Sequence, residues 1–135
     1  MACQGNFTCG SFKEALFKAD VDFLVDTIKI ALYDNTATLN ASTTAYTTAG
    51  EVVASGYTAG GNTLTPTVAL ANGVSYVDFG NTSWSAAITA RGALIYKSGG
   101  TAICVLDFGS DKTSTTTFTV EFPANTSNSA LIRLS

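Results

Sequence analysis

The feature that most constrains this chain is the stretch Asn81–Ser110, NTSWSAAITARGALIYKSGGTAICVLDFGS, in which strand-length apolar runs are joined by tight polar turns. Around it the punctuation is equally specific. Asn72-Gly73 lies between two alternating runs, a strong hairpin signal because both residues tolerate positive φ. Ser98-Gly99-Gly100 joins two apolar strands in the same way. Pro123 removes a ladder donor and ends the run that contains Phe118–Phe122. Strands are expected at 63–70, 74–79, 84–90, 92–97, 102–108, 116–122 and 129–134. Earlier, Ile28, Ile30 and Leu32 alternate with Thr27, Lys29, Ala31 and Tyr33, a strand with one core face. A short strand is also expected at 51–54, and Tyr57–Asn62 reads as a glycine turn. About eight short antiparallel strands at this spacing imply an all-β sandwich or barrel. Trp84, Ile88, Leu94, Tyr96, Ile103, Val105 and Phe108 are its expected centre.

The N-terminus reads differently. Residues 1–10 are small and polar, an arm. Ser11-Phe12-Lys13-Glu14 matches a capping box, with Ser11 as N-cap and Glu14 reaching back to it. Phe12, Ala15, Leu16 and Ala19 then fall on one helical face, which predicts a short amphipathic helix over 12–19. A helix this short needs its apolar face covered. The expected organisation is an arm and helix over 1–19 and one β-domain over 20–135, with a Thr-rich loop at 34–50.

Composition bounds the function. Only 13% of the 135 residues are charged, against 46% hydrophobic, and a globular chain usually carries about a quarter charged. The surface must therefore be built from Thr, Ser, Asn and Gly, which cost less to desolvate in a contact than full charges. The net charge is -3 and the seven Lys and Arg are scattered, so a phosphate-neutralising patch is not expected and neither is direct nucleic-acid binding. No apolar run approaches the roughly 20 residues of a membrane span, and the N-terminus does not read as a secretion signal.

The chain contains no histidine. Ser-His-Asp and Cys-His catalysis are therefore impossible within it, as is histidine ligation of a metal. Asp20, Asp22 and Asp26 lack the rest of a calcium loop. Asp107-Phe108-Gly109 echoes a kinase triplet without its companion motifs, and reads as a strand end entering a turn. Sequons at Asn6, Asn40, Asn81 and Asn125 are expected by chance in so Asn- and Thr-rich a chain. Trp84 with Tyr46, Tyr57, Tyr76 and Tyr96 offers the alternative of a carbohydrate-stacking platform. No catalytic, cofactor or metal residue is assigned, and the chain is not expected to be an enzyme. The three cysteines, Cys3, Cys9 and Cys104, cannot all pair within one chain. Cys3 and Cys9 on an arm are candidates for an interchain disulfide, and Cys104 in its apolar strand for a buried, inert thiol.

The run Ser11–Tyr33, SFKEALFKADVDFLVDTIKIALY, resembles the start of a group of tailed-bacteriophage virion proteins. The resemblance continues through Ala45–Thr48, Tyr57–Leu64, Ala90–Tyr96 and Leu106–Lys112. It implies a small structural protein of the virion, assembled in the host cytoplasm, most like a capsid decoration (cement) protein. Its implied partners are the major capsid protein and itself, as a homotrimer before a dimer; a tail or neck component is the alternative. Contacts are expected in the 1–19 arm, through Phe7, Phe12, Leu16 and Phe17, and in the 34–50 loop.

Overall fold

A computed structural model describes residues 7–134. In chain order the elements are β1 (Phe7–Thr8), α1 (Gly10–Phe17), β2 (Ile28–Tyr33), β3 (Asn62–Thr63), β4 (Pro66–Ala71), β5 (Val74–Phe79), β6 (Thr82–Trp84), β7 (Thr89–Lys97), β8 (Ala102–Thr113), β9 (Phe118–Val120) and β10 (Ile132–Leu134). The expected all-β class is present, and every strand pair is antiparallel. The strands form three sheets, ordered β1-β8-β7-β2-β3, β10-β5-β4 and β6-β9. Among the described residues each sheet ends in edge strands, and none closes into a barrel.

Turn chemistry fixes the hairpins. Asn72 and Gly73 both adopt positive φ, 53° and 75°, the twist that matches β4 to β5. Gly99, at φ 74°, turns β7 into β8. The β2–β7 register runs from Ile28 opposite Lys97 to Tyr33 opposite Gly92. One core joins the sheets: Ile30, Leu94, Ile103 and Val105 from the large sheet, Val77 and Phe79 from the second, Trp84 and Phe118 from the third. Of the seven residues expected at its centre, six are buried and Phe108 is half-buried.

Four local expectations are corrected. The strands expected at 84–90 and 92–97 are divided elsewhere: β7 runs unbroken through Thr89–Lys97, a register shift between Ala90 and Gly92 leaving Arg91 opposite a bulge of β8 that spans 108–111, while Trp84 belongs to β6. The segment expected to turn after Phe108 stays in β8 to Thr113, with Gly109 at φ 82° accommodating the local distortion. The expected 51–54 strand reduces to one bridge between Tyr33 and Glu51. The outward face of β2 is also buried, since Ala31 and Tyr33 are both 0% exposed; the loop after β2 covers them.

The helix starts earlier than its sequence signal. Its N-cap is Cys9, without a side-chain cap, because β1 pairs with β8 and delivers the Cys9 amide to the Ile103 carbonyl at 2.8 Å. The Gly10 amide is satisfied by the Ala41 carbonyl at 3.0 Å, so the helix start is held by backbone from elsewhere in the fold rather than by the capping box. Ser11 Oγ instead accepts from Thr101 Oγ1 at 2.8 Å and donates to the Ala102 carbonyl. Glu14 pairs with Lys18 at 2.8 Å. From Phe7 onward the N-terminal segment is therefore knitted into the domain rather than projecting from it.

Candidate interaction surface

The densest polar cluster is built by the loop between β2 and β3. Glu51 is 7% exposed, and its carboxylate accepts from Tyr46 Oη at 2.5 Å, Tyr57 Oη at 2.7 Å and the Gly60 amide at 2.8 Å. Tyr57 Oη in turn accepts the Leu32 amide at 2.9 Å. Tyr96 Oη donates to the Gly60 carbonyl at 2.7 Å and Tyr33 Oη to the Thr47 carbonyl at 2.6 Å. The Tyr46 and Tyr96 rings stack 4.8 Å apart. Burial, and then contact with Glu51, holds the Tyr46 and Tyr57 phenols above their ordinary range. They remain protonated donors throughout the physiological range. The cluster latches the loop over the outer face of β2 and β7. Its hydroxyl donors are all engaged within the chain, which makes it a fastening for the loop.

The 34–50 loop is pinned along its inner edge and exposed over most of its length. Ala37 and Leu39 point inward and are buried, while Thr and Asn side chains line its outside. No periodicity marked Glu51 in the sequence. The one usable signal was a lone acid in a Thr- and Ala-rich segment between two tyrosines.

An apolar cleft of about 620 Å³ opens between α1 and β10, lined chiefly by Phe12, Leu16, Phe17 and Leu134, with Lys13 and Arg133 at its rim. Of the four residues expected to form a partner contact, Phe12 is buried in the cleft floor, Leu16 is half-buried against the core, and Phe17 is 95% exposed. The Phe7 side chain lies outside the described residues. The floor is continuous with a second feature. Ile132 lies opposite Val77, which lies opposite Val68; Leu134 lies opposite Ser75, which lies opposite Leu70. Directly opposed residues share a face, so this face of the β4–β5–β10 sheet is apolar along nearly its whole length. Its inner end, at Phe79, Val77 and Ile132, is buried; Leu70 and Leu134 at the other end are exposed.

The remaining predicted residues fall outside this surface. Cys3 lies outside the described residues. Cys9 is 0% exposed and a free thiol, so the expected interchain bridge through it is corrected: pairing of β1 with β8 draws its side chain into the core. Cys104 is buried and free, as expected. Trp84, Tyr57, Tyr76 and Tyr96 are all 9% exposed or less and Tyr46 is half-buried, so these five rings do not present the expected exposed stacking platform. Asp26 accepts the Asp22 amide at 2.8 Å and faces Lys97 at 3.3 Å, a self-contained turn. Among the described residues no cluster of acids and thiols could hold a metal ion, and no helix is long and apolar enough to cross a membrane.

No family model, curated protein or solved structure matches this chain.

Proposed function

We propose that this chain is a structural protein of a bacteriophage particle that decorates the capsid and stabilises it by bridging major-capsid subunits. The observation that carries this reading is the apolar cleft between α1 and β10, on whose walls Phe17 and Leu134 stand exposed. Exposed apolar surface bordered by polar residues marks a contact with another macromolecule. The resemblance of the Ser11–Tyr33 and Ala90–Tyr96 segments to phage virion proteins supplies the kind of contact. The low charge content supports it, because a Thr-rich surface can be covered without stranding ions.

In this reading the chain is non-catalytic, acts in the virion, and needs no cofactor, nucleic acid or membrane. It works as a closed homo-oligomer, a trimer before a dimer, seated on the shell. Copy number in purified particles tests the reading. A fixed, high ratio to the major capsid protein is expected. A number matching the tail or neck ring, or absence from the particle, overturns it.

A further inference from the structure

The cleft has a counterpart on the same chain. In the turn after α1, Val21 and Phe23 are buried while Leu24 and Val25 are 76% and 79% exposed. Asp20 and Asp22 flank this apolar tip and are exposed, and among the described residues neither has a cation at ion-pair distance. The cleft presents the complement: apolar walls from Leu16, Phe17 and Leu134, with exposed Lys13 and Arg133 that likewise lack an acidic partner among the described residues. Phe12 links the two surfaces, lining the cleft and meeting the Phe23 ring edge-on at 5.7 Å.

We infer that the Asp22–Val25 turn of one copy docks in the α1–β10 cleft of another. Leu24 and Val25 cover Phe17 and Leu134, and Asp22 faces Lys13 and Arg133. Charge complementarity selects this occupant. Two clefts meeting face to face would oppose like charges, and two turns would oppose aspartates. Knob and cleft are different patches, so every copy carries one of each, which is what a closed ring requires. The inference rests on the self-associating part of the proposed function, but purified chain tests it whether or not the chain is ever found in a capsid.

The experiment is sedimentation of the full chain and of two variants at exposed positions, Leu24→Lys and Phe17→Asp, with circular dichroism to establish that each stays folded. The wild type is expected to self-associate and each variant alone to be monomeric. An equimolar mixture of the two should associate again, because it pairs an intact knob with an intact cleft. Association of the wild type should weaken as salt rises. A monomeric wild type at the highest concentration reached overturns the inference. So does Leu24→Lys associating as the wild type does, or a mixture that stays monomeric. If Phe17→Asp blocks binding to capsids while the wild type is monomeric, the cleft belongs to the shell protein and the inference fails while the proposed function stands.

Discussion

Tyr57 donates its phenolic hydrogen to Glu51 at 2.7 Å while the same oxygen accepts the Leu32 amide at 2.9 Å. One hydroxyl thus joins the loop latch to the central strand β2. Tyr57→Phe should keep the ring packing against Trp84, 5.8 Å away, and strand two buried partners, the Leu32 amide and one Glu51 oxygen. A loss of about 1–3 kcal/mol is expected in denaturant titration. No change would mean the latch does not hold the loop.

Two glycines with the same backbone sign should behave oppositely. Gly61 has φ 77°, and a Cβ there would lie 1.8 Å from the Ile30 carbonyl oxygen. That contact is with the backbone of a central strand, so Gly61→Ala should cost more than about 3 kcal/mol or prevent folding. Gly73 has φ 75° with nothing within 4 Å. Gly73→Ala should therefore cost only the left-handed penalty, about 1–2 kcal/mol. Thermal unfolding of the pair checks the contrast.

Asp78 is 2% exposed, and its Oδ2 has no hydrogen-bond partner among the described residues. Burial raises its carboxyl pKa above the ordinary 3.8, partly opposed by hydrogen bonds from the Phe79 and Leu131 backbone. A raised acid binds its proton more tightly when folded. Its contribution is therefore most favourable below the unfolded value and declines as pH climbs through the folded one. Asp78→Asn should be more stable than wild type at neutral pH, with the advantage shrinking toward acid pH. Denaturation midpoints of the two proteins across that window check the sign; an advantage that grows toward acid pH would contradict it.

The Cys9 and Cys104 thiols should be silent in the folded state. Burial pushes Cys9 up to about 11 and Cys104 higher still, so neither supplies thiolate at neutral pH. A thiol-reactive dye at neutral pH should label neither residue in the native protein and both after unfolding, read by peptide mapping. Labelling of native Cys9 would contradict the buried N-cap.

Much of the fold was legible because its signals are local. The Asn72-Gly73 hairpin, the Ser98–Gly100 turn and the alternation of Ile28, Ile30 and Leu32 each name their own geometry. What escaped depends on distant residues. The capping box at Ser11 and Glu14 was overridden when β1 paired with β8 and satisfied the helix start from Ile103 and Ala41. The outer face of β2 looked solvent-facing because the loop that covers it is held by Glu51, and nothing in the spacing of Tyr46, Glu51 and Tyr57 shows that they converge. Of the cleft, Leu16 and Phe17 were readable from the helix, but Leu134 and Arg133 enter only because β10 lies beside α1.

A reconstruction of the intact particle tests the central claim most directly. The account predicts this chain on the outer face of the shell, each copy touching more than one major-capsid subunit and a neighbouring copy of itself. Density for it only in the tail or neck, or none in the particle, would contradict the account.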